Sequence, residues 1–499
     1  MTAADGPVLN PFSRRTLLRA GLVVAAAGVQ SACTSGSTAG AGLVLPTDPR
    51  IAAAEARRHT TGQTHAVRFT AQAGVVDLGG PQVTTWTYDG LLPGKEIRVR
   101  AGDTIRAELT NRLPVDTTIH WHGLALRNDM DGAPDLTQNA IATGRAFTYQ
   151  FVAESPGTYW FHPHSGTQLD RGLYAPLIVE DPNEPGGYDQ DWVIVLDDWI
   201  DGTGTAPDDV LATLRQGGGM GGMMGSASGR GGTSALLGGD AGDVRYPHYL
   251  INGRVPAAPA TFTARPGQRV RIRFVNAASD TAFRVALGGH RFRVTHTDGY
   301  PVHPADTDTL LIAMGERYDV ITTLGDGVFP LVALAEGKEA TALALVRTGA
   351  GTPPPASIRP AELDRDRIGY DRLTATPDVR LSARIPDVTH ELDLTGGMMS
   401  YDWGINGTPL DPARRLLIQQ DQRVRITFRN RTMMWHPMHL HGHTFQLNRT
   451  GPRKDTVAVL PGQTITCDLD ATNPGQWMIH CHNTYHAETG MATILGYRT

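Results

Sequence analysis

Cysteine is nearly absent from this chain: three in 499 residues, at Cys33, Cys467 and Cys481. An odd number without regular spacing excludes a disulfide framework. No sign of charge dominates either. The formal net charge is −5 and charged residues make up 19%, which excludes a nucleic-acid footprint and a disordered, highly charged chain. The apolar run from Ala20 to Val29 falls short of the about 20 residues that a membrane-spanning helix needs.

Turn formers are abundant: Gly 57 and Pro 33, as in an all-β protein of short strands. The strands repeat. Ile105-Arg106-Ala107-Glu108-Leu109-Thr110-Asn111 recurs as Val270-Arg271-Ile272-Arg273-Phe274-Val275-Asn276 and as Val424-Arg425-Ile426-Thr427-Phe428-Arg429-Asn430. Apolar and polar residues alternate in each copy, which predicts a strand with one buried face. Upstream of each stands a turn signal: Tyr88-Asp89-Gly90, Ile251-Asn252-Gly253 and Ile405-Asn406-Gly407. The repeated Asn positions are 165 and 154 residues apart, which is domain spacing rather than solenoid spacing. Linkers rich in Pro and Gly close the first two copies, at 181–187 and 349–360. The expected division is a leader over 1–47 and domains over 48–187, 188–355 and 356–499. A Gly-rich insertion at 216–242 reads as a mobile loop.

Histidine is concentrated in the first and third copies. Nine residues after Asn111 comes His120-Trp121-His122-Gly123, and nine after Asn430 comes His439-Leu440-His441-Gly442. Further on, His162-Pro163-His164 occupies the place of His480-Cys481-His482. The second copy has Val285 where the others have His, so the middle domain reads as a spacer without such ligands. One His-X-His pair is weak evidence, since side chains two apart merely share a strand face. Four pairs, placed symmetrically in two repeats, are not. Cys481 adds a thiolate between two imidazoles, with His486 and Met491 each five residues further on. One Cys, two His and a weak axial Met are the donor set of a blue-copper electron-transfer site. The two imidazoles beside the Cys are then left for other metals, and the peptide between them becomes a short wire. Cys467 lies in an alternating strand and reads as a small buried side chain.

On these four motifs the whole mature chain resembles the three-domain multicopper oxidases: laccases, bilirubin-oxidase-like enzymes and cuprous oxidases. It is most similar to the exported bacterial copper-tolerance type. The resemblance implies an all-β fold of three cupredoxin-like Greek-key β-barrels and four copper ions. By position, type 1 copper would be held by His436, Cys481 and His486 with Met491 axial. Type 2 copper would be held by His120 and His439. The type 3 pair would be held by His122, His162, His164, His441, His480 and His482. His443 has no assignment and reads as structural. The implied reaction passes single electrons from a donor through Cys481 to the cluster, which reduces dioxygen to water. Asp131 matches the family acid near the type 2 copper. The second family acid follows the type 1 His; here that position is Ala487, with Glu488 next as its candidate substitute. A nitrite reductase of related fold would lack the full type 3 set. A copper-sequestering protein with little turnover is the alternative.

The implied partners are dioxygen, phenolic or amine reductants and Cu(I). No nucleic-acid partner is implied, and the chain is expected to be a monomer. Ser13-Arg14-Arg15-Thr16-Leu17-Leu18 ahead of the apolar run reads as a twin-arginine export signal. Ala32-Cys33 resembles a lipoprotein cleavage site, with a lipidated Cys33 as membrane tether. The expected location is extracytoplasmic, anchored or associated with the cell envelope. Met220, Met223 and Met224 in the insertion, Met398-Met399, and Met433-Met434 before His436 offer thioethers, which bind Cu(I) well. If the insertion gathers Cu(I), deleting Gly217 to Gly225 should lower Cu(I) oxidation and spare phenol oxidation. Unchanged Cu(I) kinetics would exclude that role.

Overall fold

The computed structural model describes residues 42–184, 186–216 and 231–499. The twin-arginine pattern, Cys33, and Met220, Met223 and Met224 lie outside the described residues. The chain forms three mainly-β units, each a pair of sheets packed face to face. The same pairing opens all three. Thr64–Asp77 runs parallel to Asp103–Asn111, Gln190–Trp199 to Arg269–Asn276, and Val388–Thr395 to Arg423–Asn430. An antiparallel strand follows in each: Ala146–Ala153, Arg317–Thr323 and Thr464–Asp470.

The repeated residues explain why the copies fold alike. Ile105, Ala107 and Leu109 are buried, as are Val270, Ile272 and Phe274, and Val424, Ile426 and Phe428. Each such large side chain contributes about 1.5–3 kcal/mol by leaving water. Asp89, Asn252 and Asn406 adopt positive φ (55°, 49° and 55°), each followed by a glycine that does the same, as a tight hairpin turn requires. The closing Asn is a bracket. Asn111 Nδ2 donates to the carbonyls of Val115 and Ile141, and its Oδ1 accepts from Leu113 N. Asn276 does this with Thr281, Ile312 and Ala278, and Asn430 with Met434, Val459 and Thr432. In copies one and three this bracket ends the strand and starts the loop that carries the histidines.

Two expectations change. The insertion is not loose over its second half. Residues 231–242 form a small hairpin and a 3-10 turn, with Leu237 and Ala241 buried and Ser234 Oγ donating to Glu336 at 2.5 Å. The polar face of the middle repeat is not at the solvent either. Arg271 and Arg273 are 3% and 2% exposed and lie at the junction with the first unit. Arg271 pairs with Asp319 at 2.6 Å and with Glu184. Arg273 pairs with Asp191 at 2.8 Å and donates to Thr158 at 2.9 Å. Thr158 in turn donates to Asp319 at 2.7 Å. Alternation in sequence shows two faces but not what covers the second.

Burial opposes charge on Asp319, but Arg271 and Arg273 outweigh it and hold its carboxyl at about 2, below the ordinary 3.8. A depressed carboxyl gives stability that is complete above its unfolded value and drains as pH falls through its folded one. Asp319→Asn is therefore expected to lower Tm at neutral pH. The gap to wild type should close between pH 3.8 and about 2 when melting is followed by circular dichroism. A gap independent of pH would refute the pairing as its source.

Candidate metal centre

Two antiparallel ladders place the histidines. In the first unit His120–His122 pairs with Gly157–His162, setting His120 opposite His162. In the third, His436–Leu440 pairs with Gln476–Cys481, setting His439 opposite His480. These edges face each other, and the rings converge in groups whose nitrogens lie within 4.8 Å: His120 with His122 and His439; His122 with His162 and His482; His164 with His441 and His480. Every one of these groups spans units one and three. His120 Nε2 and His439 Nε2 stand 3.3 Å apart, and His441 Nε2 and His480 Nε2 3.0 Å. Two nitrogen lone pairs do not meet so closely in a buried site unless something electron-poor is shared between them.

The outer nitrogens are tied down, which fixes tautomer and orientation as in metal-ligating imidazoles. His162 Nδ1 donates to the Pro163 carbonyl at 2.8 Å and His480 Nδ1 to that of Cys481 at 2.8 Å. Two aspartates handle the rest in mirrored fashion. The main-chain carbonyl of Asp131 accepts from His120 Nδ1 at 3.1 Å, and its carboxylate accepts from His441 Nδ1 at 2.9 Å. The main-chain carbonyl of Asp455 accepts from His439 Nδ1 at 3.0 Å, and its carboxylate accepts from His122 Nε2 at 3.1 Å. Each aspartate thus holds one ring of its own unit with its backbone and one ring of the other unit with its side chain. Inner nitrogens are left over. His122 Nδ1, His162 Nε2 and His482 Nε2 are buried without a hydrogen-bond partner. Each unpaired buried group costs about 1–3 kcal/mol, an expense that a shared cation removes. Burial first, and neighbouring imidazoles second, hold His162, His164, His441 and His482 well below their ordinary value. The neutral form they keep is the ligating form.

The thiolate site is built on Cys481, between His480 and His482 in the chain. Cys481 Sγ is 3.7 Å from His436 Nδ1 and 3.6 Å from His486 Nδ1, and the two nitrogens are 3.1 Å apart. His436 Nε2 donates to Thr432 Oγ1 at 2.8 Å, and His486 Nε2 donates to Asp243 at 2.9 Å. Asn483 caps the short helix Thr484–Thr489, accepting from the amides of Tyr485 and His486, which aims His486 inward. Met491 is fully buried, and its carbonyl accepts from Cys481 N at 3.0 Å. Trp403 lies against His486 with ring centroids 4.3 Å apart. Burial opposes charge on His486, but Asp243 and then Cys481 outweigh it and lift it to about 10.

The middle unit is more than a spacer. No histidine of it enters these groups among the described residues, yet it closes the site. Arg317 is fully buried, pairs with Asp455 at 2.7 and 2.5 Å, and donates to the Thr158 carbonyl at 3.0 Å. Asp298 accepts from Asp455 N, Thr456 N and Arg317 N, and pairs with Lys454 at 3.1 Å. Asp243 comes from the same unit. None of these residues was singled out in the sequence. Asp455 sits in Arg453-Lys454-Asp455-Thr456, outside every motif that marks the histidines.

Asp131 reaches the rings themselves. The turn after it comes so near the preceding strand that a Cβ at Gly132, where φ is +83°, would lie 1.7 Å from the Ile119 carbonyl. Glu488 enters none of the ligand groups. It is half-buried, its carbonyl accepts from Arg215 at 2.6 Å, and burial lifts its carboxyl to about 7 near Arg215 and Asp208. His443 is structural: its Nδ1 donates to the His441 carbonyl at 3.3 Å and its Nε2 accepts from the Tyr497 hydroxyl at 2.7 Å. Cys467 is buried in the third core. Of the methionines, Met434 is buried while Met433 and Met399 are 80% and 81% exposed.

Known proteins match along the whole fold. Three family models described as multicopper oxidase match residues 70–184, 190–350 and 384–498. Multicopper oxidase MmcO of Mycobacterium tuberculosis is 51% identical, over 97% of each chain. A copper resistance protein A homolog of Pseudomonas syringae pv. tomato is 28% identical, over 83% of this chain and 89% of its own. Among solved structures, a multi-copper oxidase from Pseudomonas thermotolerans superposes with a TM-score of 0.66 at 27% identity, over 87% of this chain and 99% of its own.

The middle unit also touches the rings through Gly315. A Cβ there would lie 2.9 Å from His482 and 3.0 Å from His122, at a φ of +82°. Gly315→Ala is expected to lower copper bound at the histidine cluster while the thiolate site keeps its colour. Elemental analysis beside the visible spectrum checks this; full copper content in the variant would contradict the packing.

Proposed function

We propose, for a chain that belongs to the multicopper oxidases, that His436, Cys481, His486 and Met491 hold type 1 copper. His120 and His439 hold type 2, and His122, His162, His482 with His164, His441, His480 hold the type 3 pair. Bound copper supplies one-electron acceptance at the thiolate and four-electron reduction of dioxygen at the imidazole cluster. One observation carries the reading. Three successive residues enter three different groups: His480 joins His164 and His441, Cys481 joins His436 and His486, and His482 joins His122 and His162.

The protein's own residues set the conditions. Asp131 and Asp455 orient the rings of both outer domains. Asp243 holds the outer nitrogen of His486, and Trp403 packs against the same ring. We read the domains as 48–187, 188–355 and 356–499, each pair of sheets wrapping into a Greek-key barrel. The donors are phenols, aromatic amines and Cu(I), and the biological role is copper tolerance, in keeping with the copper resistance relative. No described helix is long and apolar enough to cross a membrane; export by the twin-arginine route and a lipid on Cys33 complete the proposal.

Copper-loaded protein should consume oxygen with a phenol and with Cu(I), and kcat/KM for the two on one sample ranks them as donors. Cys481→Ser should abolish both the blue absorption and oxygen uptake. Uptake retained in that variant would refute the electron path, and no turnover with any reductant in wild type would favour copper storage.

A further inference from the structure

We propose that Asp170 supplies protons for dioxygen reduction from the side of helix Thr484–Thr489, where position 487 carries alanine. The inference rests on the oxidase reading and names a residue for its proton half. Dioxygen needs four protons with its four electrons to leave as two waters, and Ala487 can give none. Glu488 faces Arg215 and Asp208 instead.

Asp170 ends the 3-10 turn Gly166–Asp170, which follows His162-Pro163-His164 in the chain. It is 3% exposed. Its Oδ2 accepts from the hydroxyl of Tyr485, on the helix between His482 and His486, and from that of Tyr246 in the middle domain at 3.1 Å. Its Oδ1 is buried with no partner. The facing groups are acids and phenols. Asp197 and Asp198 come from strand Gln190–Trp199 and Asp201 follows it, with Tyr174 donating to Asp197 at 2.5 Å. The nearby cations are engaged elsewhere. Arg171 turns to Asp201 and Asp208, and Lys338 is bound to Asp280 at 2.7 Å. Burial, and then Asp198, push the Asp170 carboxyl well above its ordinary value.

This arrangement fixes where the proton sits. Two phenols already donate to Oδ2, so the acid proton is on Oδ1, the oxygen without a partner. A purely structural hub would satisfy both oxygens. Asp170 releases the Oδ1 proton toward the cluster, where reduced oxygen takes it up, and becomes a carboxylate. Tyr485 and Tyr246 stabilise that carboxylate until solvent reprotonates it. Asp170 is not a ligand and acts through the groups between it and the cluster.

The test uses the full copper-loaded chain. Asp170→Asn keeps the shape and the acceptor but has no acid proton. It should load copper, keep the wild-type visible spectrum and accept electrons anaerobically at the wild-type rate. Reoxidation by dioxygen should slow roughly tenfold or more, the scale of a lost general acid, with the deficit growing as pH rises. Asp170→Glu should recover most of the rate. In the infrared difference between reduced and reoxidised wild type, a neutral-carboxyl band should change, be absent in Asp170→Asn and shift in Asp170→Glu. Wild-type reoxidation and pH profile in Asp170→Asn would overturn the proposal. So would equal slowing of both variants at every pH, which marks a shape requirement. If Asp170→Asn fails to load copper, the wild-type infrared band decides, and its absence refutes the proposal. Failure of the oxidase reading itself would appear separately, as wild type that consumes no oxygen.

Discussion

The bidentate pair between Arg317 and Asp455 is the contact on which the rest of the structure depends. Both side chains are fully buried. One belongs to the middle domain and the other to the third, and each reaches the first, through the Thr158 carbonyl and through His122. Removing one partner of such a pair strands a charge, at about 3–5 kcal/mol. Lys454, Asp298 and Glu316 extend it, so that two cations meet three carboxylates without solvent. The carboxylate that anchors the three domains is the one that holds a ring of the cluster. Stability and chemistry therefore share an atom, and the middle domain takes part in both without offering a ligand.

Asp131 and Asp455 show the same logic twice. The two outer domains carry equivalent histidine edges, and each supplies one aspartate that reaches across. Their distances from the strand histidine differ in sequence, since Asp131 follows His120 by 11 residues and Asp455 follows His439 by 16. The loops have diverged while the bonding has not. Geometry is what the site selects: a carbonyl for the near ring and a carboxylate for the far one.

This difference explains what could be read from sequence. His120-Trp121-His122 and its three counterparts were legible because strand period two and repeat symmetry both mark them. The alternating strands and the Asp-Gly and Asn-Gly turns were legible for the same reason: local chemistry dictates local form. Asp131 was visible only through its motif. Asp455, Arg317 and Asp243 were not visible, because a charged residue at a strand edge looks solvated until another domain covers it. Arg271 and Arg273 hid likewise. Their alternation predicted an outward face, and only assembly shows that face turned inward. Glu488 was proposed from its position beside Ala487, but one residue along a short helix turns a side chain toward another surface.

The histidine groups each draw from both outer domains, and this makes metal occupancy and domain closure a single equilibrium. A ligand bound only by the closed form stabilises it by mass action. A chain whose first and third domains have parted presents half-sites, each with a few imidazoles and none of the crossing carboxylates. Such a chain loses affinity for copper and the restoring force toward closure together. Copper content thus reports on the quaternary-like fit of three domains within one polypeptide, as well as on the supply of metal.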